Sequence, residues 1–122
     1  MGWYKRAVMK GVELLDIRKN GWWRRGIKNA ILLESINMSS ARDCLLGQCY
    51  GSARAGRIAL NLQNSFPSHP WQSASDWRDY GFEVYARWWM PDFIVRRRRI
   101  RLAKLWRQLI QTRRRQAEQS AA

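Results

Sequence analysis

Acidic residues are scarce in this sequence of 122 residues, which has nine aspartates and glutamates against 23 lysines and arginines. The formal net charge is +14 at neutral pH. With so few interleaved acids, a charged face that serves only solubility is a weak explanation for this excess. The balance indicates a polyanionic partner, which means nucleic acid, an anionic membrane surface or an acidic protein.

The sequence also has few residues of the kinds that carry catalysis or bind metals. Its single histidine, His69, lies between prolines in an expected loop. The two cysteines, Cys44 and Cys49, lack the spacing to His69 that a zinc site requires. A cysteine nucleophile paired with His69 has little support. We therefore predict a non-catalytic protein without a cofactor or a bound metal.

Long hydrophobic runs are missing. The longest uninterrupted apolar run, residues 30–33, is far shorter than the roughly 18 residues of a membrane-spanning helix. Residues 1–6 contain no apolar segment of the kind found in secretory signals. Cys44 and Cys49 would point about 140° apart on one helix and could not form a disulfide. We therefore expect free thiols and a reducing, cytoplasmic location.

Apolar residues make up 46% of the chain, which is enough for a core, and the length favours one domain over residues 1–122. Hydrophobic spacing and capping residues predict an all-α fold, a small helical bundle with a long basic amphipathic C-terminal helix. Two apolar segments, 22–34 and 82–90, are ambiguous, and one short strand pair stays open. The expected helices cover residues 3–18, 41–50, 53–62, 75–80 and 92–118, with a loop at 63–70 and a frayed tail at 119–122.

The last predicted helix carries the strongest functional signal. Residues 92–122 contain ten lysines and arginines against two acids, so they contribute +8 to the net charge. At about 100° per residue, an apolar stripe runs along one side of this helix: Ile94, Val95, Leu102, Leu105, Trp106, Leu109 and Ile110. The opposite side is predicted to present cations to water: Arg96, Arg97, Arg101, Lys104, Arg107, Arg114 and Arg115. Such a helix would pack with its apolar stripe and face a polyanion with its cations.

Other cations could extend this surface. Arg24, Arg25 and Lys28 follow a pair of tryptophans, and residues 87–89 repeat the mixture of arginine and tryptophan. These clusters suit single-stranded nucleic acid or an anionic membrane equally well, although packing of the tryptophans against the core explains them better.

Residues 43–62 offer a second way to contact nucleic acid. They could form a helix-turn-helix in which Arg54 and Arg57 face a groove of DNA. Arg57 falls near a position where such a unit needs an apolar residue, which counts against this interpretation.

Several short elements follow one another in a recurring order along most of the chain. They are GVELLD at 11–16, GW at 21–22, INMSS at 36–40, CLLGQCYG at 44–51, ALNL at 59–62, YGF at 80–82 and LxxxWRxxIxxRR at 102–114. Together they resemble a family of small proteins of actinobacteria and their phages, and the stretch at 44–51 is the most specific part. The resemblance implies an accessory role in a phage or its bacterial host, but no mechanism. Cys49 departs from the pattern, because a large apolar residue is usual there.

The sequence thus predicts a phage-type accessory protein that binds DNA or RNA through the basic C-terminal helix. Two alternatives use the same surface. The protein could bind and modulate an acidic host protein, or it could bind anionic membranes peripherally. The expected location is the cytoplasm of a bacterial host cell, and the choice between DNA and RNA and the oligomeric state stay open.

Overall fold

A computed structural model describes residues 2–62, 76–84 and 89–121. Four α-helices occur in these ranges: α1 (Gly2–Arg18), α2 (Leu45–Tyr50), α3 (Ala53–Ala59) and α4 (Asp92–Ala121). Short 3-10 helices cover Leu33–Ser35 and Trp77–Tyr80. Because the described ranges contain no strand, the all-α prediction is confirmed, and the strand pair is not found in them.

The long first and last helices agree with the sequence prediction. α4 begins at Asp92, as expected, and the Pro91 carbonyl accepts hydrogen bonds from the Ile94 and Val95 amides at 3.0 and 3.4 Å. Its helical hydrogen bonding continues to Ala121, three residues beyond the predicted end at 118, so the frayed tail was placed too early.

The two short helices were predicted too long. Residues 41–43 form a turn instead of the first turn of α2, because the Ser40 hydroxyl accepts hydrogen bonds from the amides of Arg42 and Asp43. The α2 helix begins only after Cys44, whose sulfur accepts a hydrogen bond from the Gly47 amide at 3.3 Å. The α3 helix ends before Asn61, which takes a left-handed conformation with φ of 56°.

The ambiguous segment 22–34 forms turns and irregular chain that lead into the first 3-10 helix. The 3-10 helix at Trp77–Tyr80 lies within the short helix predicted at 75–80, and Gly81 ends it in a left-handed conformation, as expected. The loop at 63–70 with His69, the Ser75 cap and residues 85–88 of the other ambiguous segment lie outside the described residues.

Trp106 of α4 lies at the centre of the core. Its indole nitrogen donates a hydrogen bond to the Gly81 carbonyl at 2.6 Å. Its ring stacks on Phe82, with ring centroids 5.5 Å apart, and meets the ring of Trp22 edge-on at 5.9 Å. Side chains from α1, α2 and α4 itself complete the core: Val8, Val12, Leu15, Leu45, Leu46, Leu102 and Ile110. Trp106 therefore joins α4 to the second 3-10 helix and to the segment after α1.

Gly11 lets α1 lie close to the second 3-10 helix and to the Trp106 ring of α4. A Cβ atom at this position would clash with the Tyr80 carbonyl oxygen and lie 2.9 Å from the Trp106 ring. Since carbonyl oxygens and packed indole rings cannot move aside easily, only glycine fits here.

We expect Gly11→Ala to lower the free energy of unfolding by about 1 to 3 kcal/mol, because overpacking costs more than the helix propensity that alanine gains. Urea unfolding measures the effect. Gly2→Ala is the matched control, since a Cβ there would meet only ordinary contact at 3.8 Å. A Gly11→Ala variant as stable as wild type would show that α1 does not approach the Trp106 ring this closely.

Asp16 joins α1 to two other parts of the chain. Its carboxylate accepts hydrogen bonds from the Arg113 guanidinium at 2.7 and 3.0 Å and from the Trp22 indole at 3.0 Å. The hydrogen bond from Arg113 is the main reason that the pKa of Asp16 lies below its ordinary value of 3.8; burial opposes this shift. The charged carboxylate thus ties α1 to α4 and to the segment after α1.

Because the pKa of Asp16 is lower in the folded state, its contribution to stability is complete well above pH 3.8 and is lost as the pH falls below that value. We expect Asp16→Asn to be less stable than wild type at pH 7 and to lose less stability between pH 5 and pH 2. Urea unfolding across this range tests the expectation. Glu13→Gln, an exposed change on the same helix, should keep the pH profile of wild type. If Asp16→Asn kept that profile too, the ion pair would not form in solution.

Candidate nucleic-acid interface

The first ten residues of α4 carry a dense positive charge and are open to solvent. No side chain between Asp92 and Arg101 is buried; the first buried residue of the helix is Leu102. We call the exposed cations Arg96, Arg97, Arg101 and Lys104 the basic face. None of the four forms an ion pair or a hydrogen bond with another described side chain. These cations are therefore not neutralised by any of the described side chains.

Two further arginines lie next to the basic face on α4 and are less exposed than its members. Arg98 and Arg99 are half-exposed beside the apolar stripe. The Arg99 guanidinium pairs with Glu83, with nitrogen–oxygen distances of 3.0 and 2.9 Å. Glu83 thus neutralises the charge of Arg99, and Arg99 is not counted in the basic face.

A groove of about 640 Å³ separates α4 from the chain at 34–43. Arg96, Arg99 and Arg107 line its helix side, while Glu34 and Asp43 lie on the opposite side. Because acids face Arg96 and the other arginines across the groove, its charge is mixed, unlike that around Arg97, Arg101 and Lys104, which do not line it. The basic face is therefore the better surface for a polyanion.

Arg114 does not face water, and the prediction that placed it there is wrong. Its side chain is only 7% exposed. The guanidinium donates hydrogen bonds to the carbonyl oxygens of Trp23 and Ile31, both at 2.8 Å. Burial, with the charge of Arg25 as a second cause, lowers the pKa of Arg114. This arginine fastens the 23–31 segment to α4 and is unavailable to a partner.

Two other predicted site residues, Arg107 and Arg25, already interact with other residues of the chain. The Arg107 guanidinium is half-buried, and its Nε donates a hydrogen bond to the Leu33 carbonyl at 2.9 Å. Arg25 pairs with Glu118 at 2.8 Å, and both side chains are exposed. An exposed pair of this kind adds at most about 1 kcal/mol, so Arg25 remains able to exchange its partner.

The remaining cations of the predicted surface are exposed. Arg115 and Lys28 have no ion pair with another described residue. The Arg24 guanidinium lies over the Trp23 ring, 4.7 Å from its centroid. Lys28 and Arg115 can therefore contact a large partner, whereas Arg24 already covers one face of an aromatic ring.

The two arginines of the predicted helix-turn-helix differ in exposure. Arg54 is exposed, but the Arg57 guanidinium lies over the Trp77 ring at 5.2 Å, and its buried Nε has no hydrogen-bond partner among the described residues. The helix that carries both has only seven residues. Since Arg57 packs inward from so short a helix, this arrangement favours the basic face over a recognition helix, and the helix-turn-helix stays a prediction.

Three large apolar side chains are exposed just before and along the N-terminal part of α4: Trp89, Phe93 and Ile100. Trp89 belongs to the predicted 87–89 cluster, whereas Phe93 and Ile100 were not predicted as site residues. Phe93 and Ile100 fall outside the apolar stripe of α4 by helical spacing, which is the signal that could have identified them. They lie among the cations of the basic face along the sequence.

The two thiols are free, as expected, and both are buried. Burial is the main cause that raises the pKa of Cys44, and it raises that of Cys49 to about 12. Both therefore stay protonated near neutral pH, and neither offers the thiolate that a nucleophile needs. Within the described ranges, no three histidine, cysteine, aspartate or glutamate side chains lie close enough together to hold a metal ion.

Among the described helices, none is long and apolar enough to cross a membrane. Comparison with protein-family models, with curated proteins and with solved structures finds no match to this chain.

Arg114 and Arg115 provide a test of the two roles that arginines have on α4. We expect Arg114→Gln to lower the free energy of unfolding by about 2 to 3 kcal/mol, because two buried carbonyl groups lose a charged donor. Arg115→Gln removes the same charge from an exposed neighbour and should change stability by less than about 0.5 kcal/mol. Urea unfolding of both variants decides the matter. Equal stabilities would mean that Arg114 is not buried against the 23–31 segment.

Proposed function

We propose that this protein binds nucleic acid without catalysing a reaction and that the basic face of α4 makes the contact. The observation that carries the proposal is the run of four exposed cations, Arg96, Arg97, Arg101 and Lys104, that no described acid neutralises. Lys28 and Arg115 add exposed charge elsewhere on the surface.

The spacing of these cations suits a chain of phosphates. Arg97, Arg101 and Lys104 are four and three residues apart, so they follow one side of the helix over about 10 Å. Phosphates on one strand of DNA are about 3.4 Å apart along the helix axis, and several fall within this length. Each phosphate that a cation neutralises releases counterions, and this release drives binding at low salt.

Two other partners would use the same cations. An acidic host protein would bind with fixed stoichiometry, and an anionic membrane would bind without any nucleic acid present. The basic face favours nucleic acid because its charge is regularly spaced along one line and is not concentrated around one pocket. A phage-type role in the cytoplasm of a bacterial host rests on the sequence resemblance alone and stays a prediction.

Substitution of three cations tests the proposal. Arg97→Gln, Arg101→Gln and Lys104→Gln together remove three charges from exposed positions and should leave the thermal transition nearly unchanged. We expect affinity for a labelled oligonucleotide to fall roughly tenfold or more at low salt. The magnitude of the negative slope of log affinity against log salt concentration should fall by about 2 to 3. Fluorescence anisotropy at several salt concentrations measures both quantities.

The matched control removes the same number of charges from α1, as Lys5→Gln, Lys10→Gln and Arg18→Gln, all of which are exposed. This variant should keep most of the affinity and the salt slope of wild type. Equal losses in the two triple variants would mean that only the net charge matters and would reject the basic face as the site. Failure of wild type to bind any nucleic acid at low salt would reject the proposed function.

A further inference from the structure

Two aromatic rings at the start of α4 are open to solvent. Trp89 is 58% exposed and Phe93 is 63% exposed. Within the described residues, neither ring contacts another ring or a cation. They are four positions apart in the sequence, so their Cα atoms lie within about 14 Å of each other.

The two tryptophan rings of the 22–25 cluster are already covered. Trp23 has Arg24 on it at 4.7 Å and Arg113 at 6.0 Å, while Trp22 is buried in the core. The cluster at 22–25 that the sequence suggested as a stacking surface therefore serves the fold. Trp89 and Phe93 combine open ring surface with nearby unneutralised charge, and this combination points to an external ligand.

The cations of the basic face surround Phe93 and Ile100. Arg96 and Arg97 are three and four residues after Phe93, which makes them its neighbours on the helix surface. Ile100 is also exposed, at 63%, and Lys104 follows it by one turn. Each exposed apolar side chain on this part of α4 thus has a cation within one helical turn.

The exposed apolar surface is too narrow to enter a membrane. Phe93 and Ile100 differ by about 20° in direction around the helix, and cations lie within about 60° on both sides. A helix that buries one face in lipid needs an apolar sector of about 100° or more. The arrangement suits contact with separate flat groups between charges better than insertion of a continuous apolar face.

The bases of a single-stranded nucleic acid are such groups. In a duplex the bases are stacked on one another, so their faces cannot lie on a protein ring without unstacking. A single strand offers both phosphates for the cations and free base faces for the rings. We infer that the basic face prefers single-stranded nucleic acid, with bases stacked on Trp89 and Phe93 and phosphates on Arg96 and Arg97. This inference rests on the proposed function, which requires only that the cations bind a nucleic acid.

The test compares a labelled oligothymidylate with a DNA duplex of equal length. Trp89→Leu and Phe93→Leu keep the charge and most of the apolar surface but remove the rings. We expect each change to weaken single-strand binding about 5- to 150-fold, which is the contribution of one stacked base. Affinity for the duplex should remain unchanged. The double variant Trp89→Phe, Phe93→Tyr should retain most of the single-strand affinity of wild type, because both positions keep an aromatic ring.

Trp3→Leu is the control, since it removes an exposed ring from α1 and should leave both affinities unchanged. Equal losses on single strand and duplex, or no loss on either, would overturn the stacking inference while the proposed function stands. If wild type bound neither oligonucleotide, the proposed function would fail with it. Ring-dependent binding to vesicles of phosphatidylserine and phosphatidylcholine, without oligonucleotide binding, would overturn both the stacking inference and the proposed function in favour of membrane binding.

Discussion

The packing of Trp106 is the constraint on which the described fold depends. The indole fills the centre of the core, and its nitrogen would be left without a partner there if Gly81 did not supply a carbonyl oxygen at 2.6 Å. The same ring lies where a side chain on Gly11 would have to go. One side chain therefore fixes the distance of α4 from α1 and from the second 3-10 helix, and the direction of α4 follows from it.

Trp106 lies between the basic face and two arginines that hold the fold together, Arg113 and Arg114. Beyond Trp106, Arg113 pairs with Asp16, and Arg114 binds the Trp23 and Ile31 carbonyls, so these charges hold the 16–31 segment in place. Before Trp106, the basic face has no such partners among the described residues. The helix is thus attached firmly in its C-terminal half and presents unneutralised charge in its N-terminal half.

Helical spacing predicted α1 and α4 well, because both bury one continuous apolar stripe, but it could not predict the fate of single arginines. Arg96 and Arg114 are 18 residues apart, which is about five turns, so they point in the same direction. One is exposed and the other is buried, since the 23–31 segment covers only the C-terminal half of the helix. The predicted start of α2 was wrong for a similar local reason, because a serine such as Ser40 caps a turn as readily as a helix.

The charge pattern of α4 is not explained by the stability of the fold. Like charges four residues apart, such as Arg97 and Arg101, destabilise a helix by about 0.2 to 0.5 kcal/mol per pair. Acids three or four residues away would remove this repulsion, yet none occurs on α4 between Asp92 and Glu118. Asp16 and Glu83 do pair with arginines of α4, but with Arg113 and Arg99, which lie outside the basic face. Under the proposed function, phosphates replace the missing acids, and binding should therefore make the N-terminal half of α4 more stable than it is in the free protein.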